Sequence, residues 1–490
     1  MLPWKTLIQV EKDCDTPVYL QIANSVMREM KKGRIGPGIK LPGTRLMAEL
    51  LEVHRKTMVR AYEELDAQGW IEMRPSQGTF TSKELPEIIP RRFSKTPVEK
   101  PHVFAATTGF NVKVNDKLRK PVLPQRNING FHDGPDTRLI PVEEIGRAYK
   151  SVLVRSSTSQ FMSYVEIAGV QKFRTVLSDY LNTSRGLRTT HENIMITRGS
   201  QMALYLLSQV LFSKADNIIV GDTNYYYADH IFMNMGMQLV RVKVDEHGID
   251  VDAIEKICSR KKIKALYTTP HHHYPTTVTL CASRRIKLLS LAEKYGFIII
   301  EDDYDYDFHY QSSPILPLVS ADTKGMVVYI GTLSKTIAPA IRTGYIVAPP
   351  NLLLELCRLR QLLDTQGDPV MEMALAELFQ EGAIKRHMKK ALHEYHRRRD
   401  FLCNLLRQKL PDVIDFKTPD GGLAIWAKFH KSVPLPPLTE KLRAQGLILS
   451  NELIHNAGST LLNSTRMGFA WMTSPEAEKA VELMVKTIKK

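Results

Sequence analysis

From about Asn127 onward the chain alternates short runs rich in Ile and Val with helical stretches: IMITRG, SQMALYLLSQVLF, NIIVGDT, KIKALYTTP, RRIKLLSLAEKYG, FIIIEDDYD, MVVYIGTLSK and GYIVAPP. Strands that are apolar throughout cannot leave one face in water. Separated by helices, they require a mostly parallel sheet covered on both sides. Such a sheet takes ligands beyond the carboxyl ends of its strands. The chemistry of this chain is therefore expected in the residues that follow each apolar run.

The first 80 residues obey a different rule. VYLQIANSVMREMKKG places Ile22, Val26 and Met30 at helical spacing and stops at Gly33, and the Gly- and Pro-rich RIGPGIKLPG reads as a turn. TRLMAELLEV opens a second helix near Thr44. HRKTMVRAYEELDAQG supplies a third, with Met58, Ala61, Tyr62 and Leu65 on its apolar face, and WIEMRPSQGTF alternates around Pro75 and Gly78 as a tight hairpin. Three helices and a two-stranded wing over residues 1–80 make a mainly α winged helix-turn-helix. Its third helix would bring Arg55, Lys56, Thr57 and Arg60 to a major groove of double-stranded DNA, with Gln77 and Gly78 at the wing tip. A solvated basic helix face competes with that reading, because residues 1–80 hold 12 basic and 10 acidic side chains, a net of +2.

Residues 81–126 carry six prolines and ten Lys or Arg against four Asp or Glu, with little apolar periodicity, and read as a basic linker. The whole chain of 490 residues holds 67 Lys+Arg and 52 Asp+Glu, a formal +15, which favours a polyanionic partner without requiring one. Five scattered cysteines without CxxC spacing fit a reducing compartment. The start MLPWKTLIQVEKDCD lacks the pattern of a secretion signal, and no apolar run reaches the roughly 18 residues that span a bilayer. The expectation is a cytoplasmic protein.

Three strand ends carry unusual chemistry. Gly199-Ser200-Gln201 lies between a strand and a helix, where backbone amides suit a phosphate, although a plain serine cap would look the same. Glu301-Asp302-Asp303-Tyr304-Asp305 follows the apolar FIII, where an acidic turn or a Mg2+ site competes. Lys335 follows Ser334 at the end of MVVYIGTLSK with Arg342 seven residues on, and an amine emerging from an apolar strand has its pKa depressed enough to form an imine. Pyridoxal 5'-phosphate needs all three provisions: a lysine for its aldehyde, a carboxylate for its pyridine nitrogen, and donors for its phosphate.

With these motifs the sequence resembles the MocR group of GntR-type bacterial transcription regulators, in which a winged helix-turn-helix is linked to a domain similar to fold-type I aminotransferases. The head matches through its PG, its LPxxR, which ends at Arg45, and its wing glycine. The body matches through YVEIAG, RGL, TRGSQ, TTPHHHYPTT, EDDYD, GTLSKTIAPAIRTGY and TRMGF. The resemblance implies an α/β domain over residues 127–490, with a large subdomain at about 160–350 and a smaller C-terminal α+β subdomain at about 365–490. It makes Lys335 the aldimine lysine, Asp302 the partner of the pyridine nitrogen and Tyr304 a hydrogen-bond partner of the phenolic oxygen. Ser200, Gln201, Ser334 and Arg342 would surround the phosphate, and Tyr225 would stack on the ring. Tyr164 would reach the phosphate of a neighbouring subunit in a head-to-tail homodimer. Arg466 would clamp the carboxylate of an incoming amino acid.

The chain departs from the family where Gly221, Thr223 and Asn224 replace glutamate, proline and glycine, where Thr277 replaces the glycine of Pro-Thr-Gly, and where His273 replaces glutamine. The adjacency of His271, His272 and His273 argues against a metal site, because neighbours in an extended loop point apart. His273 is expected to line the pocket instead. The function implied is a DNA-binding regulator that senses pyridoxal phosphate, or an amine or amino acid through it. The rival is an aminotransferase with an accessory DNA-binding head.

Overall fold

A computed structural model of the chain describes residues 2–11, 16–84, 107–112, 129–155, 162–310, 315–449 and 462–489. It divides into two compact units, Met1–Lys113 and Val114–Lys490, each taken by itself below. Most of the expected linker, 81–126, lies outside the described residues.

In the first unit the helices Val18–Lys31, Thr44–Leu50 and Arg55–Ala67 form where the apolar spacing places them, after a short additional helix, Trp4–Leu7. Ile22, Val26, Met47, Met58, Ala61 and Leu65 are wholly buried and share one core with Trp4, Trp70 and Ile71. The wing differs from expectation. It is three-stranded, because Lys40–Leu41, inside the stretch read as a turn, pairs antiparallel with Gly78–Thr81, which in turn pairs with Ile71–Arg74. Thr81 supplies the reason. Its Oγ1 accepts from Ile39 N at 2.8 Å and donates to the Gly36 carbonyl at 2.8 Å, so one side chain satisfies the Gly- and Pro-rich backbone and holds it against the hairpin.

The second unit is built on a seven-stranded sheet in the order Ile194–Thr197, Gly344–Val347, Val327–Thr332, Ile298–Asp303, Ala265–Thr268, Asn217–Gly221 and Gln238–Val242. All pairings are parallel except those of Gly344–Val347, which runs antiparallel to both neighbours. Five strands were legible as apolar runs with a sixth at GYIVAPP. The edge strand Gln238–Val242 escaped notice because Gln238 and Arg241 interrupt it, as an edge allows.

A second, three-stranded antiparallel sheet, Ile414–Asp415, Ala424–Phe429 and Ser464–Gly468, packs with the helices Ala383–Lys409 and Ser474–Ile488 around Leu402, Leu406, Ile425, Met467 and Val481. The segment after Asn129–Gly130 is laid directly on this sheet: a Cβ at Gly468 would lie 1.8 Å from the His132 carbonyl oxygen. Only a residue without a side chain permits that approach. Gly468→Ala is accordingly expected to destabilise this unit by about 1–3 kcal/mol or more, the usual cost of overpacking. Gly146→Ala, in the interior of helix Val142–Val154 with nothing within 4 Å of the added atom, should be neutral or stabilise by up to about 1 kcal/mol. Urea unfolding of the two variants checks the contrast.

Candidate functional site

The carboxyl ends of the parallel strands open into a cavity of about 340 Å³. Ser200, Gln201, Tyr225, Asp302, Tyr304, Ser334, Lys335, Arg342 and Arg466 all line it, and Asp133, Tyr267 and Tyr274 join them. Two expected residues do not. Tyr164 is 83% exposed and away from the cavity of its own chain. His273 is buried behind the cavity wall.

Asp302 stands at the end of the Ile298–Asp303 strand, in register with Ile330 of its neighbour, and is 3% exposed. Its Oδ2 accepts from the Tyr267 hydroxyl at 3.0 Å, while its Oδ1 has no protein partner. Burial pushes its carboxyl up to about 7, against the pull of the Tyr267 and Ser200 hydroxyls. A buried carboxylate with one free oxygen facing a cavity is suited to a protonated ring nitrogen.

Across the cavity, Lys335 sits in the single turn Leu333–Thr336 that Thr332 caps by accepting from Ser334 N at 3.1 Å. Its Nζ donates to the Asp133 carbonyl at 2.7 Å. Burial lowers its pKa; Asp133 opposes that shift and Arg466 adds to it. A larger neutral fraction is what imine formation needs.

Toward the third wall, Gly199 takes φ +83° at the N-terminus of helix Ser200–Leu211. A Cβ there would come within 3.2 Å of Arg342 Nη2, so the glycine lets the guanidinium reach the helix start. Ser334 Oγ is buried without a partner. Helix amides, a free hydroxyl and a guanidinium converge, the donor set of a phosphate site. Tyr225 accepts from Gln201 Nε2 at 3.2 Å and meets the Tyr274 ring edge-on at 5.2 Å.

The three histidines take three different directions. His271 packs its Nε2 on the Ile315 carbonyl and its Nδ1 lies 3.6 Å from Asp303. His272 Nδ1 is 2.8 Å from Asp305 Oδ1. His273 Nδ1 is 2.8 Å from Thr276 Oγ1, and burial, aided by Arg466, drives its pKa down to about 3. Tyr274, not His273, is the loop residue that faces the cavity. The imidazole lies beside Gly221, where a Cβ would stand 3.0 Å from His273 Nε2 and 2.4 Å from the Thr223 carbonyl. Gly221 thus leaves room both for the imidazole and for the backbone of the Thr223 turn. Thr277 occupies φ +63°, the left-handed conformation for which glycine would be the unstrained choice. Among the described residues, no group of three or more His, Cys, Asp or Glu is placed to hold a metal ion.

The acidic run also divides. Glu301 accepts from Leu318 N at 2.8 Å and Val319 N at 2.9 Å, capping a short helix, and Asp303 accepts from the Tyr329 hydroxyl at 2.8 Å. Only Asp302 of the run's carboxylates reaches the cavity.

In the first unit Arg45, Arg55, Lys56, Arg60, Gln77 and Gly78 are exposed and Thr57 is half-buried. His54 caps the Arg55–Ala67 helix by accepting from Lys56 N at 3.1 Å. The Arg60 guanidinium is braced 4.6 Å over the Tyr19 ring.

Asp302 makes the cofactor-free chain pH-sensitive. A carboxyl raised from 3.8 to about 7 contributes its stability below pH 4 and loses it as pH rises through 7. Asp302→Asn removes that loss. Without cofactor, the variant is expected to gain on the order of 1–2 kcal/mol over the natural chain at pH 8 and much less at pH 5, measured by urea unfolding.

Residues 129–483 match the family described as aminotransferase class I and II, and residues 18–81 match the gntR family of bacterial regulatory proteins. The probable rhizopine catabolism regulatory protein MocR of Rhizobium meliloti is 26% identical over 92% of this chain and 90% of its own length. An uncharacterized HTH-type transcriptional regulator of Bacillus subtilis, YisV, is 24% identical over 98% of both chains. Among solved structures, the multiple substrate aminotransferase of Thermococcus profundus covers 74% of this chain and 92% of its own at 25% identity and a TM-score of 0.69. The cavity with Lys335 and Asp302 thus lies within a body of known lineage, and the helical head within another. The chain belongs to the class I and II aminotransferase family, joined to a GntR-type head in the arrangement of the MocR-like transcription regulators.

Proposed function

We propose that this chain is a DNA-binding transcription regulator whose body binds pyridoxal 5'-phosphate and reports on it, or on a primary amine or amino acid met through it. The observation that carries the reading is the completeness of the cavity: Asp302, Lys335, Ser334 and Arg342 are all retained, facing one space, in a chain that also carries a GntR-type head. When bound, the cofactor supplies an aldehyde for primary amines and an electron-withdrawing ring. The chain's own residues do the rest. Asp302 would hold a proton on the ring nitrogen through its free Oδ1, and Lys335 would hold the aldehyde carbon. Ser200, Gln201, Ser334 and Arg342 would fix the phosphate, Tyr225 would lie against the ring, and Tyr304 would hydrogen-bond the phenolic oxygen in place of the His272 carbonyl to which its hydroxyl donates at 3.1 Å.

Residues 1–80 are assigned to DNA binding, 81–126 to a tether and 127–490 to sensing, with subdomains at about 160–350 and 365–490. The exposed Arg55, Lys56 and Arg60 on the third helix, with Arg45, Thr57, Gln77 and Gly78, would meet an operator. Exposure of Tyr164 supports its donation to a second copy, hence a head-to-tail homodimer with each site completed by the partner subunit. No described helix is long and apolar enough to cross a membrane, in keeping with a cytoplasmic site of action.

Lys335→Ala is expected to abolish the visible absorbance of protein-bound pyridoxal phosphate while specific DNA binding persists. A cofactor-free natural chain after incubation with pyridoxal phosphate and dialysis would refute the sensing assignment. Lys56→Ala should weaken binding to the operator and, with one cation fewer at the interface, reduce the slope of log affinity against log salt by about 1, read by anisotropy at several ionic strengths. Rapid turnover of an amino donor with a keto acid, combined with no specific binding to DNA upstream of its own gene, would favour the aminotransferase reading instead.

A further inference from the structure

We infer that the ligand met by the body is a primary amine that lacks a carboxylate, because Asp133 already occupies the arginine that would hold one. The inference rests on the cofactor-binding reading above and narrows its ligand. Arg466 is 1% exposed on the Ser464–Gly468 strand. Each nitrogen of its guanidinium has a partner within the chain. Nε lies 2.9 Å from Asp133 Oδ1, Nη1 donates to the Pro275 carbonyl at 3.3 Å, and Nη2 donates to the Tyr304 hydroxyl at 3.2 Å. The Nε contact is an ion pair without the alignment of a hydrogen bond, and at that separation the charges pair regardless of angle. The plane is further covered by the Tyr274 ring at 4.9 Å. A carboxylate grips arginine through two parallel N–H groups, and here the Asp133 carboxylate stands at the Nε side of the fork while Pro275 and Tyr304 each take one N–H of a terminal nitrogen.

The Asp133 side chain is held at its second oxygen too: Oδ2 accepts from the Tyr274 hydroxyl at 3.3 Å, and the His132 carbonyl before it is packed on Gly468. Phe131 is buried in the core of the small sheet. Asp136 is held by Arg398 at 2.9 Å and Arg138 at 2.8 Å, with its backbone N–H on the Tyr395 hydroxyl at 2.9 Å. The segment is therefore anchored on both sides of Asp133. A ligand carboxylate brought to Arg466 would meet a fixed like charge in a buried setting, whereas a neutral or cationic tail would meet the same carboxylate favourably.

The test uses the full chain loaded with pyridoxal phosphate and titrated with matched pairs: phenethylamine and phenylalanine, tyramine and tyrosine, 1,4-diaminobutane and ornithine. The bound-cofactor spectrum and the thermal midpoint are followed separately. The amine is expected to bind at least tenfold more tightly than its amino acid in each pair that responds. Asp133→Ala should shrink or invert that preference by at least tenfold, and Asp133→Asn, which keeps the shape without the charge, should move it in the same direction. Tighter binding of the amino acids by the natural chain, a preference unchanged in both variants, or no response to any pair with the cofactor spectrum intact would each overturn the inference. A chain that takes up no cofactor would instead overturn the reading beneath it.

Discussion

The site depends on the register between the Ile298–Asp303 and Val327–Thr332 strands. Asp302 pairs with Ile330, so the ends of both strands emerge together and the turn holding Ser334 and Lys335 begins beside the acidic run. A slip of one residue would turn Asp302 to the opposite face of the sheet. The register is held by strands buried on both faces, with Ile299, Ile300, Tyr329 and Ile330 wholly excluded from water. Cofactor chemistry and hydrophobic packing are here two consequences of one alignment.

Around that alignment the polar residues divide between holding the loops and facing the ligand. Glu301, Asp303 and Asp305 each engage a helix start, a tyrosine or a histidine, and of the four carboxylates only Asp302 lines the cavity, with its Oδ1 unpartnered. His271 and His272 likewise each hold one contact outside the cavity, to the Ile315 carbonyl and to Asp305. Leaving a buried polar atom without a partner has a cost; behind the wall Asp303 Oδ1, Asp305 Oδ2 and His271 Nδ1 also lack a hydrogen bond, but those of Asp302 and Ser334 line the cavity. The free oxygen of Asp302 and the free hydroxyl of Ser334 mark where a ligand would recover it.

Residues far apart in the chain meet around the cavity. His273 and Gly221 are separated by many residues in the chain but meet in space, where the glycine leaves room for the imidazole. Asp133 is similar. It belongs to no strand end, and the apolar pattern that located the other site residues passes over it. Yet its carbonyl meets Lys335 and its carboxylate meets Arg466, so this single residue connects two sides of the cavity.

What the sequence by itself determined was local: the alternation of apolar strands and helices, the three helices of the head, and the residue types standing at each strand end. Periodicity and turn chemistry act over a few residues, and nine of the lining residues were legible because they immediately follow or cap such elements, or stand in motifs the family shares. Tertiary structure alone decided the third strand of the wing, where the Thr81 hydroxyl captures a backbone that the local pattern reads as a turn. It also decided that Tyr274 rather than His273 faces the cavity, and that Arg466 is already paired with Asp133. Those outcomes depend on which side chains compete for one space or one charge, and such competition is settled only when distant segments are packed together.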